Sequence, residues 1–406
     1  MHPAFAIIFL WVLICLSGCV WEDNADSPDY LSIDDSEYPY AGLPRLVIET
    51  DNFAQIRDKE TKIPAKMQIY GEKGPESEII DFTIKGRGNS SIGMSKYSMK
   101  IKFPEKREIL GMPADKEWAL ISNHADKTLL RNYMTFNLAR QLEMDYVPRC
   151  SFVEVYLNRD YMGLYLLTET IKVSSSRLNI PKDENHYLVE VDAYYDNNDT
   201  VIKTAQQLPL KIHYPKNCGD TCQAPLKNFA DRWEKFMRTN FLHDSLARWI
   251  DIQDYSAYYW IEEFSKNVDS NLKTSVFFSW ERAGEIKMGP IWDFDLSYGE
   301  YRQLDPKEWY SRPNPWNRYL FKNIQFKQEI ANYWMDHRKV FLSAIDSLDY
   351  YKKHIEKAAK NNFKRWPVLG TTFLWEFNQS YDSHEEAVDS LKSWMKQRAK
   401  WIDGNI

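Results

Sequence analysis

Strand-like alternation occupies the first part of this chain's body, and helical periodicity dominates its end. That segregation makes the fold α+β, with a strand-rich N-terminal part and a helix-rich C-terminal part. Residues 45–49 and 63–70 read as short strands. In residues 79–103 two strand-like runs flank Gly86-Arg87-Gly88-Asn89-Ser90-Ser91, and Met99, Ile101 and Phe103 alternate with Lys100 and Lys102 across two faces. Residues 152–169 (FVEVYL-NRD-YMGLYLLTE) form a hairpin pattern. Residues 126–143 read as a helix, with Leu130, Met134, Leu138 and Leu142 every four residues and Asp126 capping the start. A second helix is expected over 251–265 with Asp251 and Asp254 at its cap, and further helices over 325–363 and 384–402. The Pro-rich, aromatic stretch 302–317 reads as a loop, and no internal repeat is present.

The chain of 406 residues is 44% hydrophobic and 15% aromatic, enough for a large core. Disorder, collagen and a small disulfide scaffold are thereby excluded. With 52 Lys+Arg against 58 Asp+Glu the net charge is −6, which argues against a basic nucleic-acid binder. The length suits two to three domains or one large two-lobed unit.

The N-terminus carries an address. Residues 4–16 (AFAIIFLWVLICL) are apolar and uncharged, too short to span a bilayer and suited to a signal-peptide core. Leu16-Ser17-Gly18-Cys19 follows and resembles a bacterial lipobox, although the start MHPAF lacks the usual Lys or Arg. The expectation is a signal peptide over 1–18, a lipid anchor on Cys19 and an acidic flexible tether over 19–40, whose residues 22–37 hold seven acids and no base. The body then runs over 41–406, and no later segment has the roughly 18 uninterrupted apolar residues of a membrane span. This places the chain as an exported bacterial lipoprotein of the cell envelope, at the outer membrane or cell surface where two membranes exist. Cys218 and Cys222 bracket a tight turn and suit a small disulfide in an oxidising compartment; a metal site is the alternative, without a second Cys pair or nearby His cluster. Cys150 is left as buried filler.

The chemistry concentrates in residues 265–299 (SKNVDSNLKTSVFFSWERAGEIKMGPIWDFDLSYG). Asp269 and Asn271 follow a helix, a hairpin comes next, and Asp293 and Asp295 follow it. A hairpin returns the chain to its starting point, so Asp269 is brought toward Asp293 and Asp295. In extended backbone, carboxylates two apart point the same way. Clustered carboxylates repel unless protons or a cation compensate, which suits Mg²⁺ or Mn²⁺. A loop Asp, a hairpin and then an Asp near a Gly is also the layout of a protein-kinase catalytic centre. Taken alone, the segment equally reads as turn and capping acids around a hairpin.

Longer motifs extend this reading. KGRGNSS at 85–91, KYSMKIKF at 96–103, EWALISNHADKTLLRN at 117–132, VEVYLNRDYMGLYLLTE at 153–169, MGPIWDFDLSYG at 288–299 and LKSWMKQRAKWID at 391–403 together resemble the spore coat protein H (CotH) kinase family. The resemblance implies an atypical protein-kinase-like two-lobed fold and ATP- and divalent-metal-dependent phosphorylation of Ser/Thr in proteins. By matching positions it implies Asp269 as catalytic Asp near the acceptor hydroxyl, and Asp293, with Asn271 and Asp295, as metal ligands. Lys102 would contact the phosphates, with Lys100 and Lys96 as alternatives. Gly86, Gly88, Asn89 and Arg87 would face phosphate, and Glu169 would pair with the nucleotide lysine. Arg131 and Asn132 would either organise the site or cap and brace their helix, the structural role being preferred. One departure is Thr274, which stands where an Asn ligand is expected five residues after the catalytic Asp. Thr is a poorer metal ligand than an amide carbonyl.

Two functions follow. One is a kinase acting on an envelope or secreted protein. The other is a non-catalytic surface lipoprotein that keeps the fold as a protein- or glycan-binding scaffold, with aromatic loops as contact surface; the Trp-rich loop at 309–316 reads equally as such a surface or as a lid packed on the second lobe. HExxH, paired CxxC and G-x-S-x-G motifs are absent from the sequence, so zinc-protease and serine-hydrolase readings lack support. Oligomeric state and acceptor identity are left open.

Overall fold

The computed structural model describes residues 31–239, 241–269, 271–282, 284–302, 304–372 and 379–406. The signal peptide, Cys19 and the first part of the tether lie outside the described residues. The strands are β1 (Arg45–Thr50), β2 (Ile63–Gly71), β3 (Gly74–Pro75), β4 (Ile80–Gly86), β5 (Met99–Ile109), β6 (Met112–Ile121), β7 (Cys150–Leu157), β8 (Asp160–Glu169), β9 (His186–Val191), β10 (Val201–Lys203), β11 (Pro209–Tyr214), β12 (Val276–Glu281) and β13 (Ile286–Met288). The helices are α1 (Arg131–Gln141), α2 (Asp220–Met237), α3 (Ile252–Ser265), α4 (Asn317–Leu320), α5 (Ile324–Arg365) and α6 (His384–Asp403). The α+β class holds.

The first eight strands make one sheet in the order β1-β7-β8-β6-β5-β4-β2-β3. β1 lies parallel to β7 on one side and antiparallel to β2 on the other, so the sheet closes on itself like a barrel. Closure removes the exposed edges that an open sheet presents. The alternation seen in β5 now has a cause: Met99, Ile101 and Phe103 fill the interior with Ile48, Phe82, Trp118 and Val155, while Lys100 and Lys102 face outward. A second, antiparallel sheet has the order β10-β11-β9-β12-β13 and is interleaved in sequence with α2 and α3. Strands therefore do not simply precede helices. α2 is also unanticipated, although its buried Leu226, Phe229, Ala230, Trp233 and Met237 follow helical spacing. Cys218 and Cys222 are joined as a disulfide at its N-terminus, with Cα atoms 5.2 Å apart.

Other differences are local. α1 begins at Arg131, five residues later than the pattern suggests, and Asp126 accepts the Arg131 N–H from the turn before it. Asp251 caps α3 through the N–H groups of Gln253 and Asp254. Asp254 is instead engaged by the Met288 N–H at 2.6 Å, which ties β13 to α3. Residues 31–40, expected as the end of a flexible tether, pack on the body. Leu31 donates to Gln68, Asp35 pairs with Arg45, and Tyr38 stacks on Tyr161 with ring centroids 4.4 Å apart. Among the described residues no helix is long and apolar enough to cross a membrane.

The long α5 presents Ile330, Trp334, Phe341, Ile345 and Leu348 to the core and reaches back to β8. The close approach requires Gly163, at φ +95°, since a Cβ there would lie 2.6 Å from Asn362 Oδ1. The same Asn362 oxygen accepts from Lys96, whose Nζ also donates to the carbonyls of Ser122 and Leu164 at 2.7 and 2.5 Å. Lys96 is fully buried and ties α5 to the sheet, so it is excluded as a phosphate ligand.

Candidate active site

The site lies where α3 ends. Lys266 turns left-handed as the α3 C-cap, and Asp269 follows in the loop. The β12–β13 hairpin then leads to Asp293, which returns to Asp269 as expected. Ser275, at the hairpin's start, donates to Asp293 Oδ2 at 3.4 Å. The expected extended backbone between Asp293 and Asp295 is not found. Asp293 has φ +69°, a left-handed conformation uncommon outside Gly, Asn and Asp, and the chain turns from Asp295 on. Such strain persists only where neighbours fix it. Here α1 does so. Asn132 Oδ1 accepts the Phe294 N–H at 2.8 Å, Arg131 Nε donates to the Ser297 carbonyl at 3.0 Å, and Thr135 bonds the Tyr298 hydroxyl at 2.9 Å. Arg131 is itself held by Asp126 and by Glu300, the latter at 3.0 Å. Arg131 and Asn132 thus brace the segment that carries Asp293 and Asp295, which is the site-organising alternative rather than the preferred helix brace.

The three aspartates share one electrostatic field. Burial, then the Asp293 charge, pushes the Asp269 carboxyl up to about 6. Burial raises Asp293 too, opposed by the Arg87 guanidinium and Ser275. Asp295 is held well above the usual carboxylate range by burial and by Asp293, Asp269 and Asp126. Each group is therefore harder to ionise in the fold than in water. A raised Asp gives stability that is full below the unfolded value of about 4 and is lost as pH rises through the folded value. With a chelator present, the melting temperature is expected to fall between pH 4 and 6, and Asp269→Asn should flatten that fall. An unchanged slope in the variant would show that Asp269 is not part of the charged cluster.

Arg87 answers these charges. Its backbone N–H bonds the Ser98 carbonyl at 3.0 Å, which anchors the Gly-rich loop to β5. Its guanidinium stacks 5.1 Å from the Trp292 ring centre, and its positive form is supported by Asp293, Glu190 and Asp295 against burial. The loop thus delivers a cation to the acidic cluster. Gly86 is required there, because a Cβ would come within 2.7 Å of the Asp58 carbonyl. Asn89 is exposed, and its Oδ1 accepts from Lys59 at 3.1 Å.

Lys100 and Lys102 share one outward face and one carboxylate, that of Glu117, at 3.0 and 3.3 Å. Burial pushes Lys100 below its usual range even beside Glu117. The expected partner, Glu169, does not reach either lysine. Lys102 stands opposite Glu117, whereas Glu169 stands opposite Trp118, the next residue along, and adjacent residues of a strand point to opposite faces. Glu169 is fully buried and is held by Arg177, by Arg149 at 2.7 Å and by the Tyr146 hydroxyl at 3.1 Å. Glu117 is therefore a missed residue, and its signal was the antiparallel register.

Two further acids were missed. Glu190 and Asp192 are two apart at the end of β9, next to β12. Glu190 acts on both Asp293 and Arg87 and accepts from His213 Nε2 at 2.6 Å. Asp192 accepts from Thr274 Oγ1 at 3.0 Å. The Thr274 hydroxyl is thereby engaged. The E-V-D spacing carried the signal already used for Asp293 and Asp295.

Residues 309–312 and Trp316 pack on the body, as the lid reading of this loop expects. Glu263 of α3 accepts the N–H groups of Tyr310, Ser311 and Arg312 at 2.6, 2.9 and 3.0 Å. Trp316 is buried against Trp233 and Phe278, and Trp309 meets Trp401 edge-on at 4.8 Å. Tyr310 is left beside Asp269, whose charge, after burial, raises its hydroxyl.

Among the described residues no group of three or more His, Cys, Asp or Glu side chains is close enough to hold a metal ion. The donor chemistry still fits a hard cation, since Asp293, Asp295 and Asn271 offer oxygen only. Asn271 Oδ1 is buried without a hydrogen-bond partner, an acceptor open to such an ion.

The family model described as CotH kinase protein matches residues 84–402. The chain belongs to the CotH kinase family. The match starts inside β4, so β1, β2 and β3, which close the sheet, precede it. A comparison with curated proteins returns no match. Family membership implies ATP use.

Proposed function

We propose that this CotH kinase family member is an ATP- and Mg²⁺- or Mn²⁺-dependent protein kinase-like lipoprotein, which transfers the γ-phosphoryl group to Ser or Thr of an envelope or secreted protein. The observation that carries this reading is the three-aspartate field of Asp269, Asp293 and Asp295, faced by Arg87 from the Gly-rich loop. In this reading the closed sheet is the nucleotide lobe and the helical part the acceptor lobe. Asp269, ionised at neutral pH with its value near 6, orients the acceptor hydroxyl and accepts its proton. Asp293, with Asn271 and Asp295, holds the cation. When bound, the cation would neutralise charge on the phosphates. Arg87, Lys100 and Lys102 take the phosphate oxygens, and Glu117 holds the two lysines in place. Asp192 fixes Thr274, so Thr274 is a brace for the loop rather than a ligand.

The lipobox-like Leu16–Cys19 supports attachment to a membrane through Cys19 and residence in the cell envelope. A ligand at a hundred times its dissociation constant adds about 2.7 kcal/mol to stability. ATP with Mg²⁺ is therefore expected to raise the melting temperature by a few degrees, and Asp293→Ala to remove that rise. No shift for the wild-type chain would favour the scaffold reading.

A further inference from the structure

The surface where α2, α4 and the start of α5 meet gathers cations and exposed aliphatic side chains that the site does not use. The charged ends of Arg238, Arg318 and Lys322 lie 5.7, 4.9 and 5.0 Å from the centre of one ring, that of Tyr319. All three residues are exposed, as are Lys235 and Lys327 nearby in sequence. Arg318 has an uncharged partner, Gln206 Oε1, at 3.1 Å. Arg238 is felt by Glu234, which is buried beneath the surface. Among the described residues Arg238, Arg318 and Lys322 form no ion pair with a carboxylate. The first turn of α5 contains no acid, so its N-terminus adds to the positive field. Asp244 is the exposed acid close by in sequence.

Leu242 is 80% exposed and Ile324 is 84% exposed. Their chain segments are stitched together, since Asn323 Nδ2 donates to the Phe241 carbonyl at 3.1 Å. Three cations crowded at one ring repel each other and call for anions. Two aliphatic side chains standing in water beside them call for an apolar phase. A bilayer with anionic headgroups supplies both at one plane. A soluble acidic protein answers the charge, but it would need a pocket shaped to these two protruding side chains.

We propose that this face docks on an anionic membrane surface. Leu242 and Ile324 enter the headgroup region, and Arg238, Arg318 and Lys322 contact lipid phosphates. The proposal stands on this surface alone and is independent of the kinase reading. A chain tethered through Cys19 would in addition be presented to such a surface.

Hydrogen exchange on the full chain reconstituted in vesicles tests it, because the readout is local and insensitive to how the N-terminus is held. In phosphatidylcholine vesicles containing phosphatidylglycerol, residues 238–248 and 317–327 are expected to be protected relative to phosphatidylcholine alone. Each basic residue near an anionic surface is worth about five-fold in partitioning, from about 1 kcal/mol. Arg238→Glu with Lys322→Glu should therefore lower the protection more than ten-fold. Leu242→Ser with Ile324→Ser should lower it while leaving the melting temperature unchanged, since both side chains are exposed. Equal exchange in the two vesicle types would overturn the proposal. Equal protection by soluble polyglutamate, undiminished in the serine variant, would assign the patch to an acidic protein and overturn it as well.

Discussion

Asp269→Ala is expected to lower phosphoryl transfer by about 10²- to 10⁴-fold, the usual worth of a positioned general base, while nucleotide-dependent stabilisation survives. Asp293→Ala is expected to remove both. The difference follows from geometry. Asp269 sits in the loop after α3, beside Tyr310 and Lys273, which the proposed reading makes the acceptor side. Asp293 sits against Arg87 and Glu190, on the side of the Gly-rich loop. Single-turnover transfer and thermal shift, measured on the same preparations, separate the two roles. Loss of nucleotide stabilisation in Asp269→Ala as well would place both residues in one cation site.

Glu263→Ala is expected to destabilise the chain by about 3–5 kcal/mol, the cost of leaving one partner of a buried ion pair alone. Glu263 is fully buried and pairs with Arg398 of α6 at 2.6 Å, also fully buried. Its carboxylate further accepts three backbone N–H groups of the 302–317 loop and the Tyr259 hydroxyl. Arg398 in turn donates to the carbonyls of Pro306 and Glu308. Removing Glu263 strands a buried guanidinium and releases the loop that carries Tyr310. Denaturant unfolding of the variant measures the loss. Glu263→Gln keeps acceptor geometry for part of the set and should lose less. Equal stability of wild type and Glu263→Ala would contradict the assignment of this pair as the tie between α3, α6 and the loop.

Local pattern made much of the fold legible, because its signals are periodic. The alternation of Met99, Ile101 and Phe103 with two lysines announces an inside and an outside, and the structure keeps both. The hairpin that joins Asp269 to Asp293 was equally readable, since a hairpin's ends must meet. Closure of the first sheet was not. It depends on β1 pairing with both β2 and β7, and β7 lies about a hundred residues away with no local trace of the pairing. The Glu169 assignment failed for a related reason: which strand faces which, and with which parity, is a property of register. The conformation at Asp293 was illegible because Asn132 and Arg131, far off in sequence, hold the backbone in a region that local preference disfavours. Asp126 is not the N-cap that the pattern suggested: Leu130 holds that position without a side-chain cap, and Asp126 accepts the Arg131 N–H and pairs with its guanidinium from the turn before α1. The docked segment 31–40 was hidden by its own charge. Its acids suggested solvation, whereas Leu31, Asp35 and Tyr38 each find a partner on the body.

The central claim is that this site moves a phosphoryl group. The most direct measurement is transfer of label from γ-labelled ATP by the wild-type chain, with Mg²⁺ or Mn²⁺, to itself or to a Ser-rich protein. The account predicts label on Ser or Thr that requires the divalent cation and is lost in Asp269→Ala and Asp293→Ala. Absence of label on any acceptor, together with no thermal shift on adding nucleotide and cation, would contradict it.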